Sequence, residues 1–191
     1  MRRVLTLVGD EFEKACGKLS QMVVSDGFTP DVIIGIKSGG DVIGKAIAAY
    51  FPGACYASVS ASRPGSSAKR RNVSLLSKLP YFITNPMRIV ESYLLSIFEH
   101  GDSERDVVME LSEKCHNLLN KSGCKVLIID DAIDSGATLR QVKGKLLGMF
   151  PECCCKSAVI TVTTSSPVEI PEFRLFSNKL IRFPWSTDLR R

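Results

Sequence analysis

Short apolar runs alternate along this chain with stretches in which apolar residues recur at helical spacing. Four runs rich in branched residues and alanine predict buried strands, over residues 31–36, 54–60, 125–130 and 156–164. The helical spacing predicts helices over residues 11–24, 42–51, 86–98, 103–123 and 138–150. Because strand, glycine-containing turn and helix follow one another repeatedly, we expect an α/β fold, an open parallel sheet flanked by helices.

The regular alternation stops after the second strand. Residues 60–72, SASRPGSSAKRRN, are small, polar and basic, and they predict a loop. The helices beyond this loop predict a helical insertion at about 73–122 within a single domain spanning 1–191. The apolar residues of the inserted helices leave two interpretations open, packing within the chain or a homodimer surface.

Charge and cysteine content narrow the class of protein only a little. The net charge of +5 fits an anionic small ligand as well as a nucleic acid. The seven cysteines show no CxxC spacing, which argues against a zinc site and a secreted disulfide framework and predicts reduced thiols in a cytoplasmic protein. No signal peptide is recognisable, and no apolar run approaches the ~18 residues of a membrane span, so we expect no membrane association.

The most informative stretch is KVLIIDDAIDSGATL, residues 125–139. Asp130 and Asp131 end a buried strand, at the edge of the sheet where open α/β folds bind ligands. We expect the chain to turn there, so that both carboxylates reach one ligand. Ionised carboxylates only accept hydrogen bonds, which suits the vicinal hydroxyls of a sugar, and a magnesium ion carried by the ligand would offset their repulsion.

Small residues follow the two acids and lead into a helix. In the turn from Asp134 to Thr138, backbone N–H groups can converge at the positive end of that helix, where a phosphate binds well. The segment therefore predicts a phosphorylated sugar as ligand. The residues alone leave open a second interpretation, an α/β strand and turn with no sugar ligand.

The stretch VLIIDDAIDSGAT resembles the phosphoribosyl pyrophosphate (PRPP) signature of the type I phosphoribosyltransferases, and is nearest to that of the purine (xanthine–guanine and hypoxanthine) enzymes. The upstream segment DVIIGIKSGGDVIGKAIA, residues 31–48, is similar to the pyrophosphate loop of the same family. The resemblance implies that Asp130 and Asp131 hold the ribose hydroxyls and Mg²⁺, and that a non-proline cis peptide lies at Lys37–Ser38 or the neighbouring bond. The PRPP-binding residues that it implies are Lys37, Ser38, Gly39, Gly40, Asp130, Asp131, Asp134, Ser135, Gly136, Ala137 and Thr138.

Asp134 is the residue that the resemblance links to the base. Relatives that act on 6-oxopurines carry an acid at this position, where it handles a proton of the base, so Asp134 joins Asp130 and Asp131 as a candidate catalytic residue. A role as a turn or N-cap residue is the alternative. The chain departs from many members in having Ser38, not a basic residue, before the two glycines, and it lacks the lysine expected within 162–171.

The tail KLIRFPWS, residues 179–186, resembles the segment that forms a hood over the purine in bacterial xanthine–guanine enzymes. We call residues at about 165–191 the hood. The resemblance implies that Leu180, Ile181 and Trp185 bind the base, whereas Trp185 could instead pack the hood onto the core. The loop at 60–72 matches the family's flexible catalytic loop; a solvated basic loop that touches nucleic acid is the alternative.

The resemblance implies an enzyme that transfers phosphoribose from PRPP to a nitrogenous base, a purine, and releases pyrophosphate. Its partners would be PRPP and a small-molecule base, with Mg²⁺ as cofactor and no role for nucleic acid. The alternative hypothesis is a regulatory protein that senses PRPP or a nucleotide without catalysing transfer.

Overall fold

The computed structural model describes residues 4–62, 106–186 and 189 of the 191-residue chain. Within these residues eight strands and four helices are formed. In chain order the elements are β1 (Val4–Thr6), α1 (Asp10–Ser25), β2 (Val32–Ile36), α2 (Gly39–Ala48), β3 (Cys55–Ser62), β4 (Asp106–Glu110), α3 (Glu113–Leu119), β5 (Lys125–Ile133), α4 (Ala137–Met149), β6 (Cys154–Val162), β7 (Phe173–Ser177) and β8 (Leu180–Arg182).

A six-stranded sheet in the order β4-β3-β2-β5-β6-β7 forms the centre of the protein. All neighbouring strands are parallel except β4, which pairs antiparallel with β3 at one edge. Helices α1 and α2 cover one face of the sheet, and α3 and α4 cover the other. The predicted open, mostly parallel sheet flanked by helices is confirmed.

The buried strands supply both core layers because successive side chains point to opposite faces. On β5, Leu127 and Ile129 pack under α1 and α2, whereas Val126 and Ile128 pack under α3 and α4. All four are fully buried. The continuous apolar run, which lacks alternation, is what a strand covered on both faces requires.

A second, two-stranded sheet joins the two ends of the chain. β1 pairs in parallel with β8, with Val4 opposite Leu180. The pairing fixes the hood segment beside α1, next to the carboxyl ends of the central strands. None of the helices within residues 4–62 and 106–186 has both the length and the apolar character of a membrane-spanning helix.

The helix predicted over residues 103–123 is wrong for its first part. Residues 106–110 form the edge strand β4, and the helix α3 begins only at Glu113, after the N-cap Ser112. Valine side chains at 107 and 108 favour a strand, and pairing with β3 satisfies the backbone there. Strand β3 also runs two residues beyond the predicted strand, through residues 61 and 62 of the predicted loop. The rest of that loop and the predicted helix at 86–98 lie outside the described residues.

The expectation of reduced thiols throughout is also wrong. Cys55, at the start of β3, forms a disulfide with Cys115 in α3, and their Cα atoms lie 5.7 Å apart. The bond joins residues 60 positions apart, so no local spacing pattern could have revealed it. The remaining five cysteines are free.

Candidate active site

The candidate site lies where two neighbouring strands of the sheet send their connections in opposite directions. β2 leads through α2 to β3 on one side, and β5 leads through α4 to β6 on the other. A crevice opens at such a switch point, outside the carboxyl ends of the strands. Pairing of β2 with β5 ends at Gly35 and Ile129, whereas β5 continues beside β6 to Ile133.

The turn after β2 contains a cis peptide bond between Lys37 and Ser38. The implied non-proline cis peptide is therefore confirmed, at the first of the two bonds considered. Helix α2 begins at Gly39, and its N-cap Ser38 makes no side-chain capping hydrogen bond. The Ser38 side chain therefore provides no capping acceptor for the first backbone N–H groups of α2.

The two glycines of this turn allow it to lie directly against β5. A Cβ atom on Gly39 would fall 2.0 Å from Oδ2 of Asp131. One on Gly40 would fall 2.5 Å from the carbonyl oxygen of Ile129. Both distances are far below any real carbon contact, so only glycine fits at residue 40, which meets backbone, and a side chain at residue 39 would have to displace Asp131 and Trp185. The turn at residues 37–40 and the acids at 130 and 131 are therefore brought together.

The acids occupy different faces of β5. The expectation that the chain turns at Asp130 is wrong, because the strand runs three residues further, to Ile133. Strand alternation then places Asp131 on the α1/α2 face and Asp130 on the α3/α4 face. Backbone N–H groups orient both carboxylates: Asp131 donates to Asp130 Oδ1, and Ala132 donates to Asp131 Oδ1, each at 2.9 Å.

The environment disfavours charge on both carboxylates. Burial raises the pKa of Asp130 well above its ordinary value, and the negative charge of Asp131 adds to this. Burial also raises the pKa of Asp131, although the hydrogen bond from the Trp185 indole works in the opposite direction. Two close carboxylates with raised pKa values are arranged to accept a cation or hydroxyl donors.

The turn before α4 has the backbone that an anion site needs. Gly136, the N-cap of α4, has φ of 82°, a left-handed conformation that favours glycine. Because this N-cap is a glycine, it makes no side-chain capping hydrogen bond to α4. The Ser135 hydroxyl accepts only a long hydrogen bond, 3.4 Å, from the Ala137 N–H. Thr138 follows in the first turn of the helix.

Residues of the hood brace this turn from outside. Val168 N–H donates to the Ser135 carbonyl at 2.8 Å. A Cβ atom on Gly136 would lie 2.9 Å from the backbone nitrogen and oxygen of Glu169. Lys143 of α4 in turn contacts Glu169 at 2.9 Å. The turn is thus fixed both by α4 and by the hood.

Asp134 contacts the buried residue Thr163. The hydroxyl of Thr163, which is 4% exposed, lies within hydrogen-bonding distance of Asp134 Oδ1 and of the Ile133 carbonyl. Because the N-cap of α4 is Gly136, the N-cap alternative for Asp134 is wrong. Thr163 was not identified from the sequence. The available signal was its position one residue beyond β6, at the same edge of the sheet as the turn that contains Asp134.

The three predicted base-binding residues lie in different surroundings. Leu180 and Ile181 are buried in β8, and Ile181 belongs to the core under α1 and α2. Trp185 is partly exposed, and its Nε1–H donates to Asp131 Oδ2 at 3.1 Å. The structure therefore brings Trp185 to the acids, whereas Leu180 and Ile181 serve as core residues of the β1–β8 sheet.

These features match a known family. The family model for the phosphoribosyl transferase domain matches residues 7–190. The chain belongs to the phosphoribosyl transferase domain family. The domain is that of a phosphoribosyltransferase, an enzyme of the glycosyltransferase class that transfers pentosyl groups, and it accounts for almost the whole chain.

Solved structures share the fold at low sequence identity. A purine phosphoribosyltransferase from Pyrococcus horikoshii is 17% identical, with a TM-score of 0.61 and coverage of 95% of this chain and 93% of that chain. The xanthine-guanine-hypoxanthine phosphoribosyltransferase of Helicobacter pylori is 14% identical, with a TM-score of 0.66 and coverage of 97% and 96%. A hypothetical protein from Neisseria gonorrhoeae with bound ppGpp is 13% identical, with a TM-score of 0.55 and coverage of 97% and 90%.

Proposed function

We propose that this protein transfers phosphoribose from PRPP to a purine base and releases pyrophosphate. One observation carries the proposal: the glycine turn at 37–40 and the turn at 134–138 begin helices α2 and α4 on either side of the switch point, with Asp130 and Asp131 between them. PRPP carries a phosphate, a ribose and a pyrophosphate in that order, and it needs two anion-binding turns separated by hydroxyl acceptors.

Each part of PRPP has a matching group in the proposal. The 5-phosphate binds the N–H groups at the start of α4, with hydroxyl donors from Ser135 and Thr138. The ribose hydroxyls donate to Asp130 and Asp131, whose oxygens each retain a lone pair beside the hydrogen bonds already made. The pyrophosphate binds the N–H groups of residues 38–40.

The donor set fits Mg²⁺ carried by PRPP better than a protein-made metal cage. Among the described residues, no group of three or more His, Cys, Asp or Glu side chains could hold a metal ion by itself. Protein sites for Mg²⁺ that use substrate phosphates need only one or two carboxylates, and Asp130 and Asp131 supply them. When bound, the ion would neutralise charge on the departing pyrophosphate.

The chemistry proceeds by dissociation at the anomeric carbon. The bond from C1 to the pyrophosphate oxygen breaks, leaving an oxocarbenium-like ribose, and a base nitrogen then attacks C1 from the opposite side. Carboxylates beside the ribose favour its transient positive charge. Asp134, oriented by Thr163, takes up the proton that the base loses.

A purine is the acceptor that the position of Asp134 supports best. Relatives that act on 6-oxopurines carry an acid at this position, and Asp134 belongs to the turn proposed to bind the 5-phosphate, so it lies beside the ribose to which the base is joined. Two structural neighbours, from Pyrococcus horikoshii and Helicobacter pylori, are purine enzymes by name, which agrees with this choice. The test is pyrophosphate release with PRPP, Mg²⁺ and a panel of hypoxanthine, guanine, xanthine, adenine and orotate. Release with a purine but not with orotate is expected, and release with orotate alone would overturn the acceptor class.

A second candidate function is sensing of PRPP or a nucleotide without transfer. It is favoured by Lys37, whose ammonium group is held by Glu110 and does not point freely toward the turn, and by Ser38 in place of a basic residue. The neighbour from Neisseria gonorrhoeae has a bound ppGpp. Tight PRPP binding without pyrophosphate release for any base of the panel would establish this function instead.

A further inference from the structure

Trp185 occupies the point where the hood, the acids of β5 and the start of α2 meet. Its indole Nε1 lies 3.1 Å from Asp131 Oδ2. A Cβ atom on Gly39 would lie 2.8 Å from the same Nε1 and 2.0 Å from the same Oδ2. A side chain at residue 39 would thus occupy the space of this hydrogen bond, so the glycine and the Trp185–Asp131 pair depend on one another.

Aromatic neighbours hold the indole ring in place independently of that hydrogen bond. The ring stacks on Phe183, with centroids 4.8 Å apart and planes inclined by 4°. The ring of Phe12 in α1 meets it edge-on, at 5.7 Å. Because Trp185 is fixed on two sides, its N–H has a defined direction and ends on a single acceptor.

The carboxylate of Asp131 is held at both oxygens by the protein. Oδ1 accepts from the Ala132 N–H at 2.9 Å, and Oδ2 accepts from Trp185 at 3.1 Å. The backbone donor alone leaves the carboxylate free to rotate, and the second donor fixes its plane. Such preorganisation favours a hydrogen bond from a ribose hydroxyl to Asp131, because misplacement of a binding group by about 1 Å strongly weakens contacts in the transition state.

We propose that Trp185 is a positioning residue: its indole N–H orients the Asp131 carboxylate for ribose and thereby couples the hood to the PRPP site. The proposal rests on the proposed function and deepens it, because it assigns to Trp185 a contact with an acid of the ribose site in place of a contact with the base. Coupling of this kind is reciprocal, so PRPP bound at Asp131 changes the surroundings of the indole.

The chain offers a direct probe because Trp185 is its single tryptophan. One indole N–H signal appears in a ¹⁵N–¹H spectrum of the full-length protein, with no assignment ambiguity. We expect this signal to shift in the Asp131→Ala variant, which loses the acceptor, and to shift again when PRPP with Mg²⁺ is added to the unmodified protein. An indole signal that ignores the Asp131→Ala substitution would overturn the proposal without any ligand.

Two variants separate orientation from packing. Trp185→Phe keeps an aromatic ring over Phe183 and removes the N–H, whereas Phe183→Leu removes the stacking partner and keeps the N–H. We expect Trp185→Phe to raise KM for PRPP about tenfold, in line with loss of one hydrogen bond to a charged group, with a smaller change in kcat. Phe183→Leu should lower the melting temperature and leave KM nearer to that of the unmodified protein. The reverse order of KM effects would show that Trp185 only packs, which contradicts the proposal.

Calorimetry of PRPP with Mg²⁺ distinguishes failure of this proposal from failure of the proposed function. Binding heat together with an unmoved indole signal would overturn the role of Trp185 and leave the PRPP site standing. No binding heat would overturn the PRPP site itself, and the role of Trp185 with it. The expected result is binding heat with a shifted indole signal in the unmodified protein, together with PRPP binding that is about tenfold weaker in Trp185→Phe.

Discussion

The ammonium group of Lys37 lies 2.6 Å from both carboxylate oxygens of Glu110. Lys37 belongs to the turn proposed to bind pyrophosphate, and Glu110 ends the antiparallel edge strand β4. An anion in that turn must therefore compete with Glu110 for the cation. Both side chains are well exposed, 38% and 56%, so the pair contributes little to stability but changes where the charge of Lys37 points.

Replacing Glu110 should strengthen pyrophosphate binding. Glu110→Gln removes the competing charge, and we expect the affinity for pyrophosphate or PRPP to rise about two- to fivefold at low salt, the range typical of exposed ion pairs. Calorimetric titration at low and at physiological salt measures the effect, which should shrink as salt increases. Asp106→Asn, an exposed acid at the other end of β4, is the matched control and should leave affinity unchanged. Equal gains in both variants would point to a general charge effect and contradict the role of the pair.

Thr163 should matter for turnover more than for PRPP binding. Thr163→Val removes the hydroxyl that contacts Asp134 and preserves side-chain shape, so we expect kcat to fall about tenfold with little change in KM for PRPP. Asp134→Asn should cost about a hundredfold in kcat, since it removes the acid itself. Thr161→Val is the control, because the Thr161 hydroxyl donates to the Lys179 carbonyl and not to the acid. Steady-state kinetics with the best purine decides, and a kcat loss as large in the control would refute the assignment.

The disulfide should stabilise the fold in oxidising buffer. It links residues 60 positions apart, and such a bond typically contributes about 2–4 kcal/mol to the free energy of unfolding. We expect the urea midpoint of the unmodified protein to fall when a reductant is added and that of Cys55→Ala/Cys115→Ala to stay constant. Cys154→Ala, which removes an exposed free thiol, should respond to the reductant like the unmodified protein. Identical unfolding curves of the unmodified protein with and without reductant would contradict this bond.

Asp130 should make stability depend on pH. Burial raises the pKa of its carboxyl in the folded protein, so the folded state holds the proton more tightly than the unfolded state. The stabilising contribution of the protonated form is fully present below the ordinary pKa, about 3.9, and is lost as the pH rises through the higher folded value. We therefore expect Asp130→Asn to increase the free energy of unfolding at pH 7, and the gain to disappear near pH 4.

Urea denaturation at both pH values tests this prediction. The asparagine oxygen can still accept the Asp131 N–H, so the substitution changes charge more than shape. Glu152→Gln, at an exposed position between α4 and β6, should change stability little at either pH. A destabilised Asp130→Asn variant at pH 7 would mean that the carboxylate is structurally required rather than a strained part of a binding site.

Local sequence patterns predicted the central strands of the sheet correctly, because the secondary structure of these segments follows from residues close to one another in the chain. The runs at 31–36 and 125–130 are apolar and branched, so they form strands buried on both faces, and the glycines after the first run fit only a tight approach to β5. The positions of both turns followed from this alternation, whereas the order of the strands within the sheet was not predicted.

Other elements depend on partners far away in the chain. Val107 in β4 and Leu111 directly after it also match helical spacing, so periodicity alone could not exclude a helix. The pairing with β3 is what makes this segment a strand. The disulfide and the β1–β8 pairing join positions that are remote in sequence. The contact of Trp185 with Asp131 exists only because β8 places the hood beside β5, so the sequence could name both residues but not their hydrogen bond.

The PRPP site itself is tested most directly by calorimetric titration of PRPP with Mg²⁺ into the unmodified protein and into Asp130→Asn/Asp131→Asn. Loss of two hydrogen bonds to charged groups should weaken PRPP binding by at least about a hundredfold, while circular dichroism shows a folded protein. PRPP affinity that is unchanged in the folded double variant would contradict the account, because the ribose would then bind elsewhere.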